Sequence, residues 1–531
     1  MQAASEANEW NTFSVPQKGD AGGWVLTSDV TTEQSGVTAI CVARDGTIYA
    51  AAEEIAGSPL DGYNLFQSTD DGFTWESLWK IPNDDKPAGG PAADPDPRVI
   101  TLVLPQWEDA DTLFLATQYS VYKSTDGGEE FTRIAARPAY GSGADNTNSR
   151  LITSLDVTHS EGQYLALICS RDADAGDFGG AYIFDEARTF TPWVDIWAGG
   201  TAANSKYDVL DIAFSPNFND DEQVIALITD ETDTLVTTRL GMSDWGATVG
   251  DAILPGVAAT SGSIAFPADY DSYVPNDTYA QYVGLDAGPA SAVYMIVGTE
   301  APEDSLAFPM FVPDPSMAVH SLVAVGEAFD ATIVAGLTSG NVMYSDTSGA
   351  IWQTAHTPPS VTVTARDACI ALGTLQTAAY VVYAGTSGPN SGFARSIDSG
   401  DTWSRTTFIC DDLLQITDFV LSPNYSNEHT MYMTTEGNSA RPILWYTDNS
   451  GKTWEAVLTA GQEITLSANR TANVPIFDKV ALSRDFAHDT TVFVCDSAAG
   501  EIWRSTDNGF HFSPLVGQPA IAGNVDSWTA V

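Results

Sequence analysis

A short motif that recurs at a nearly constant interval constrains this chain more than any other feature. Its clearest copy is Ser68-Thr-Asp70-Asp-Gly72-Phe-Thr-Trp75, in which a serine, an aspartate, a glycine and an aromatic residue stand at fixed offsets. The characteristic residues of the six copies are Asp70, Gly72 and Trp75; Asp126, Gly128 and Phe131; Asp346 and Trp352; Asp398, Gly400 and Trp403; Asp448, Gly451 and Trp454; and Asp507, Gly509 and Phe512. Such recurrence is typical of a repeat architecture.

The intervals between copies predict the number of repeats. Successive aspartates are separated by 56 residues (Asp70 to Asp126), 52 (Asp346 to Asp398), 50 (Asp398 to Asp448) and 59 (Asp448 to Asp507). The remaining interval, from Asp126 to Asp346, is 220 residues, or four periods. We therefore predict three eroded copies inside it, near Asp185, Asp244 and Glu300, and nine repeats in total.

Each repeat is expected to contain four antiparallel strands. Upstream of several boxes an apolar run, a polar loop and a second apolar run follow one another, as in residues 420–433, and this pattern predicts two strands. The residues before and after the box supply a third and a fourth strand. Four strands in about 50 residues are typical of a propeller blade. We predict an all-β fold, a single large β-propeller of about nine four-stranded blades, within a range of eight to ten.

The domain boundaries follow from the repeats. Residues 36–516 comprise the propeller, and residues 517–531 form a C-terminal segment. Residues 1–35 form an N-terminal segment with two open interpretations: it completes the ring, or it is the tail of a preceding repeat in a longer chain.

The residue types of the motif suit a hairpin turn between the third and fourth strands. The aspartate accepts hydrogen bonds from the backbone of its own turn, and the glycine adopts a positive φ without steric cost. The terminal tryptophan or phenylalanine buries a large ring, which contributes about 2–3 kcal/mol. These roles are structural, so the box aspartates are not expected to be catalytic.

The motif resembles the Asp-box, or BNR, repeat family. The family includes sialidases, two-propeller xyloglucan hydrolases, sortilin-type receptors and exported bacterial and archaeal surface proteins, and this chain is similar to the last two groups. The resemblance implies a propeller with its boxes at the periphery, away from the central mouth where propeller enzymes bind substrate. It does not imply an activity, because fold and site are separable.

The charge balance excludes some partners. The chain has 70 acidic and 22 basic residues, a formal net charge of −48, which disfavours nucleic acid and anionic membrane surfaces. No run approaches the roughly 18 apolar residues of a membrane helix. The first residues lack a signal-peptide pattern, so the chain is cytosolic or a signal precedes this numbering. The resemblance favours an extracellular or cell-surface location.

The five cysteines form no C-x-x-C pair and are expected to be buried free thiols.

No complete catalytic set stands out. The nearest match to a sialidase arginine segment, Phe131-Thr-Arg133-Ile134, directly follows a box and therefore lies on an outer strand. The histidines lack zinc-type spacing, and no G-x-S-x-G segment occurs. A glycosidase needs only two carboxylates, and among 70 acidic residues no pair can be singled out. We therefore expect that the chain is not an enzyme.

One acidic loop suits a hard cation. Asp172, Asp174 and Asp177 alternate along a short loop that contains glycine, and oxygen ligands in that arrangement favour calcium. The loop lacks the downstream glutamate of a helix-loop-helix calcium site. The alternative is a solvated polar turn.

Together these observations predict a non-catalytic extracellular structural or interaction protein, such as a surface-layer or filament subunit that self-assembles with other subunits through cation-bridged acidic loops. The alternative is a carbohydrate-active hydrolase or lectin that uses the propeller mouth, which predicts a pocket with aromatic residues and two acids. A third class is an assembly factor resembling the photosystem-associated Asp-box propellers.

Overall fold

The computed structural model consists of consecutive four-stranded antiparallel sheets. It describes residues 36–53, 63–85, 97–105, 111–134, 150–172, 175–188, 193–196, 207–241, 245, 248–271, 279–298, 306–310, 314–327, 330–360, 366–376, 379–387, 392–408, 413–437, 442–467, 470–495 and 501–515. The N-terminal segment 1–35 and the C-terminal segment 517–531 lie outside these ranges. Within them, nine four-stranded units follow one another, and in each unit every strand pairs with the next. The predicted all-β propeller fold is confirmed.

Strands β1 to β28 form blades one to seven. They are β1 Val37–Val42, β2 Ile48–Ala52, β3 Leu65–Ser68 and β4 Glu76–Trp79; β5 Val99–Val103, β6 Leu113–Thr117, β7 Val121–Ser124 and β8 Thr132–Arg133; β9 Arg150–Ser160, β10 Gln163–Asp172, β11 Gly180–Asp185 and β12 Val194–Asp195; β13 Asp208–Phe214, β14 Gln223–Thr229, β15 Thr234–Leu240 and β16 Thr248–Leu254; β17 Ser261–Ala265, β18 Tyr279–Asp286, β19 Ala292–Gly298 and β20 Leu306–Pro309; β21 Val319–Val325, β22 Thr332–Leu337, β23 Val342–Ser345 and β24 Gln353–Thr354; and β25 Arg366–Gln376, β26 Ala379–Ser387, β27 Gly392–Ser396 and β28 Ser404–Phe408.

The remaining strands form blades eight and nine and a hairpin between them. They are β29 Leu413–Leu421, β30 Met431–Gly437, β31 Ile443–Thr447 and β32 Glu455–Thr459; the hairpin β33 Glu463–Ser467 and β34 Arg470–Asn473; and β35 Lys479–Leu482, β36 Val492–Cys495, β37 Ile502–Ser505 and β38 Ser513–Pro514. Three four-stranded sheets, those of blades three, four and five, occupy the interval between Asp126 and Asp346 in which three eroded copies were predicted. Of the residues near which those copies were predicted, Asp185 ends β11, whereas Asp244 and Glu300 lie outside the described residues.

The polar loops predicted between first and second strands contain a short helix in three blades. These helices are α1 Phe218–Asp221, α2 Tyr425–Glu428 and α3 Phe486–Asp489. In the first, the hydroxyl of Ser215 donates to Asp221 at 2.6 Å, which pins the turn. No helix in the described ranges has the length and apolarity needed to cross a bilayer.

The ring closes after seven blades. The inner strand β1 packs against β25 and β26, and Gly36 forms a bridge with Ser387. The thiol of Cys369 lies 3.1 Å from the carbonyl oxygen of Thr38. Phe393 and Trp75 meet edge to face across this junction, with ring centroids 4.9 Å apart. Blades one to seven therefore form a ring around a central channel, which differs from the expectation of one ring of about nine.

Apolar clusters between neighbouring blades explain this closure. Separate buried clusters join blades one and two, two and three, three and four, four and five, five and six, six and seven, and seven and one. Another cluster joins blades eight and nine. Blade eight meets blade seven differently, since their outermost strands β28 and β32 pair edge to edge. Its first strand, β29, leaves Ile416, Phe419 and Leu421 exposed.

Candidate functional site

The Asp-box turns connect the third and fourth strands at the outer edge of the blades. In the first box, Asp70 accepts hydrogen bonds from the amide of Thr74 at 2.8 Å and from its hydroxyl at 2.6 Å. Ser68 accepts from the amide of Gly72 at 2.9 Å and donates to Asp70. The indole of Trp75 donates to the carbonyl of Gly72 at 3.0 Å. The side chains of Ser68, Asp70 and Trp75 are thus used within the turn.

Glycine is required in this turn for two reasons. Gly72 has a φ of 83°, a conformation that side chains rarely adopt. In addition, a Cβ atom at this position would lie 2.7 Å from the ring of Phe393 in the neighbouring blade. The other box glycines, Gly128, Gly400, Gly451 and Gly509, also have positive φ angles.

In two boxes the hydrogen-bond acceptor of the turn is not the aspartate that the sequence predicted. Asp126, Asp398 and Asp507 accept hydrogen bonds as Asp70 does. In the sixth blade Thr347 takes this position, and in the eighth Asn449 takes it. Asp346 and Asp448 precede these positions by one residue and are exposed. The reason is geometric: the acceptor must stand two residues after the first hydroxyl of the turn, which Ser345 and Thr447 supply.

The aromatic residues of the boxes pack inward. Trp75, Trp403, Trp454 and Phe512 are buried, whereas Phe131 and Trp352 are half-buried. Because these boxes lie on the outer strands, away from the channel, their geometry serves the fold rather than a reaction.

A substitution in the first box tests this role. We expect Asp70→Ala to lower the free energy of unfolding by about 1–3 kcal/mol, because two donors of Thr74 lose their acceptor. Asp448→Ala is the matched control, and its effect should stay within about 0.5 kcal/mol because Asp448 is exposed and outside the acceptor position. Chemical denaturation measures both. Equal losses in the two variants would contradict the assignment.

The structure describes two of the three acids proposed for calcium. Asp172 is buried at the end of β10, with Oδ2 3.7 Å from Nε of Arg150. Asp177 is exposed, and Asp174 lies outside the described residues. The neighbouring Gly176 donates its amide to Glu231 at 2.9 Å. The calcium site stays a prediction.

The central channel contains a candidate site. A cavity of about 740 Å³ lies inside the ring and is lined by the inner strands of all seven blades. Hydroxyl groups line part of its wall, among them those of Thr38, Thr101, Ser154, Ser263 and Ser321, beside many apolar side chains. The cavity size suits a small organic ligand. None of the described lining residues is aromatic, which differs from the pocket predicted for a carbohydrate-active protein.

A belt of hydrogen bonds between blades positions these side chains. The carboxylate of Asp211 accepts from the amide of Ile264 in the next blade at 2.7 Å. In the same way, the hydroxyl oxygens of Ser263 and Ser321 each accept a hydrogen bond from a backbone amide of the following blade, at 3.2 and 3.0 Å respectively. Outside the ring, Asp418 accepts from Val480 in the same way at 3.1 Å. A short polar side chain on the inner strand therefore ties each of these blades to the next.

Asp211 is a carboxyl group of the channel with a raised pKa. It stands between the 740 Å³ cavity and a second cavity of about 400 Å³, and it lines both. It is deep in the protein but partly accessible, because it faces the channel. Burial raises the pKa of Asp211 to about 6, although hydrogen bonds from Ser154 and two backbone amides act in the opposite direction. Such a carboxyl can donate a proton near neutral pH.

Glu53 is the second carboxylate of the cavity. It follows β2 and forms an ion pair with Arg98, whose guanidinium lies 3.2 Å away. Glu53 and Asp211 belong to blades one and four, three blades apart, which is the largest separation that a ring of seven allows. The two carboxyl groups therefore line one cavity from different blades, one of them held by an arginine.

Sequence reasoning missed this site. Asp211, Glu53, Arg98 and His320 belong to no motif, and Cys369 was expected only to be a buried thiol. Cys369 is buried, but it also lines the cavity, with its sulfur 3.5 Å from Nε2 of His320. A usable signal was present in residues 209–212, where one aspartate interrupts an apolar inner strand.

The chain has distant structural neighbours among known proteins. No family model and no curated protein matches the chain. YCF48 from Cyanidioschyzon merolae is 14% identical, with a TM-score of 0.43, and the match covers 69% of this chain and 97% of YCF48. An ancestral GH74 enzyme is 14% identical with a TM-score of 0.33, and the match covers 91% of this chain and 65% of that enzyme. The α-L-arabinanase of Penicillium chrysogenum, solved with arabinobiose, is 13% identical with a TM-score of 0.37, over 69% of this chain and 96% of the arabinanase.

These structures correct one expectation. At 13–14% identity and TM-scores below 0.5, they assign no activity and no family to this chain. The prediction that the chain is not an enzyme is nevertheless corrected, because glycoside hydrolases are among the structures to which the chain is similar.

Proposed function

We propose that this chain is a carbohydrate-active hydrolase whose substrate occupies the 740 Å³ cavity of the channel. The observation that carries the proposal is the pair of carboxyl groups in one cavity. Asp211 has a pKa raised to about 6, and Glu53 is ion-paired with Arg98. Two carboxyl groups that face one substrate site are what glycoside hydrolysis requires. The hydroxyl-lined wall offers hydrogen bonds to a polyhydroxyl substrate.

The roles follow from the two environments. Asp211 donates its proton to the glycosidic oxygen as the bond to the anomeric carbon breaks. The carboxylate of Glu53 accepts a proton from a water molecule, whose oxygen forms the new bond to that carbon. Because the two residues lie three blades apart around the channel, we expect room for a water molecule between Glu53 and the sugar, and therefore inversion of configuration.

A screen of polysaccharides tests the proposal. The full chain is incubated with a panel of plant and microbial polysaccharides, and released reducing ends are measured. NMR of the first product then gives its anomeric configuration. We expect release from at least one polymer, with inversion, and none from the Glu53→Gln variant. Absence of both turnover and binding across the panel would refute the proposal.

The pH dependence of the reaction is a separate prediction. Asp211 must be protonated to act as the acid, so kcat/KM is expected to fall as pH rises through about 6. An aryl glycoside with a good leaving group needs no proton donor, and its hydrolysis should lack this decline. A decline of equal size for both substrates would assign the titration to another group.

We also infer that the chain is a divergent member of the Asp-box family. The support is the shared turn geometry at Asp70, Asp126, Asp398 and Asp507, in which each carboxylate accepts from the amide four residues later.

A further inference from the structure

Two Asp-box turns contact each other at the junction between the ring and the two blades outside it. One turn belongs to blade seven and the other to blade nine. The seventh-blade turn contributes Asp398 and Asp401, and the ninth-blade turn contributes Asp507 and His511. Nε2 of His511 lies 2.9 Å from Oδ2 of Asp401, and its Nδ1 lies 2.5 Å from Oδ2 of Asp507. The imidazole therefore stands between carboxylates of two turns that are 110 residues apart in sequence.

The two residues at the centre of this contact are departures from the box pattern. At the position of His511 the other boxes carry Thr74, Glu130, Ile351, Thr402 and Thr453. At the position of Asp401 they carry Phe73, Glu129, Ala350, Lys452 and Phe510. Threonine already satisfies the box aspartate in the first and seventh blades. The turn itself therefore needs neither a histidine nor a second aspartate, and the two occur only in the turns that face each other.

We propose that Asp398, Asp401 and His511 bind a divalent transition metal ion, with Zn²⁺ as the best match. One ligand atom from each residue lies within 4.8 Å of the others. Tetrahedral zinc with bonds of about 2.0–2.1 Å holds its ligand atoms roughly 3.4 Å apart, so small side-chain rotations complete the geometry. Imidazole together with carboxylates suits zinc better than calcium.

The surroundings supply the remaining parts of such a site. Asp507 contacts Nδ1 of His511 and so orients the ring with Nε2 toward Asp401, as second-sphere carboxylates orient imidazole ligands in zinc proteins. His356 packs beside this group, with its ring centroid 4.7 Å from that of His511, although it is outside the set whose ligand atoms all lie within 4.8 Å of one another. Its Nε2 is buried and has no hydrogen-bond partner among the described residues.

The electrostatics of the junction favour a cation. Three carboxylates, those of Asp398, Asp401 and Asp507, surround one imidazole.

Metal titration of the full chain tests the proposal. The protein is stripped with EDTA and titrated with Zn²⁺ by calorimetry, and with Co²⁺ by the visible absorption of a tetrahedral complex. We expect one equivalent to bind, and at least about 100-fold weaker binding in His511→Gln and in Asp401→Asn. The matched control is His488→Gln, because His488 also contacts an aspartate, Asp485, at 2.7 Å but is fully exposed. Its binding should be unchanged.

Thermal unfolding with and without Zn²⁺ gives an independent readout that requires no activity. We expect zinc to raise the Tm of the wild-type protein and of His488→Gln, and to leave that of His511→Gln unchanged. Circular dichroism confirms that each variant is folded. If the wild-type protein binds no zinc, or His511→Gln binds it equally well, the proposal is overturned. In the first case the cluster is an ion pair between two turns and nothing more.

Discussion

Asparagine in place of Asp211 is expected to lower kcat/KM for polysaccharide hydrolysis by about 10²- to 10⁴-fold, the usual contribution of a general acid. Asparagine keeps the size of the side chain and one acceptor oxygen, so the bond to the amide of Ile264 can persist. It has no proton to give to the leaving oxygen. Hydrolysis of an aryl glycoside with a good leaving group should be affected much less, because that substrate leaves without protonation. Steady-state kinetics on both substrates provide the measurement.

The control for this substitution is Asp418→Asn. Asp418 occupies the equivalent position on β29 and makes the same kind of bond to the next blade, with the amide of Val480 at 3.1 Å. It lies outside the ring and does not line the cavity. We expect its activity to equal that of the wild-type protein. Full activity of Asp211→Asn on polysaccharide would remove Asp211 from the mechanism.

Replacing Arg395 with alanine should produce the largest loss of stability, about 3–5 kcal/mol in the free energy of unfolding. Arg395 joins three blades: Nη1 lies 2.9 Å from Asp71 in blade one, and Nη2 lies 2.5 Å from Glu455 in blade eight. Asp71 also accepts from the hydroxyl of Tyr383 at 2.6 Å. Glu455 is only 7% exposed, so without Arg395 its charge is buried and uncompensated.

A double variant separates the missing charge from the missing contact. Arg395→Met combined with Glu455→Met removes both charges and fills the space, and we expect it to be close to the wild-type protein in stability. Burial raises the pKa of Glu455, while Arg395 acts to lower it. In Arg395→Ala, protonation of Glu455 relieves the buried charge, so the loss should be smaller at pH 5 than at pH 8. Denaturation at both pH values measures this, and equal losses would contradict the explanation.

The periodic motif predicted the number of four-stranded units but not the closure of the ring. The boxes of blades eight and nine, at Asn449 and Asp507, have the same turn geometry as those inside the ring. Local turn chemistry is therefore identical on both sides of the closure. What closes the ring is the packing of β25 and β26 on β1, a contact between strands about 330 residues apart. No local pattern encodes a contact of that range.

The candidate site was less predictable than the fold. The box residues were found because their offsets are fixed by the hydrogen bonds of one turn, although Asp346 and Asp448 show that neighbouring acids can mislead. Asp211 and Glu53 come from different blades, and they line the same cavity only once the ring has formed. Their chemistry depends on burial and on Arg98, neither of which is visible in an acidic sequence with 70 candidates. The extracellular location and the calcium site stay predictions.

The most direct measurement is a crystal structure of the Asp211→Asn variant with an oligosaccharide from a polymer that the wild-type protein binds or cleaves. We expect the sugar to lie in the 740 Å³ cavity, with a glycosidic oxygen within hydrogen-bond distance of residue 211 and a water molecule between Glu53 and the anomeric carbon. A sugar bound at the outer edge of the blades, with an empty channel, would contradict the account.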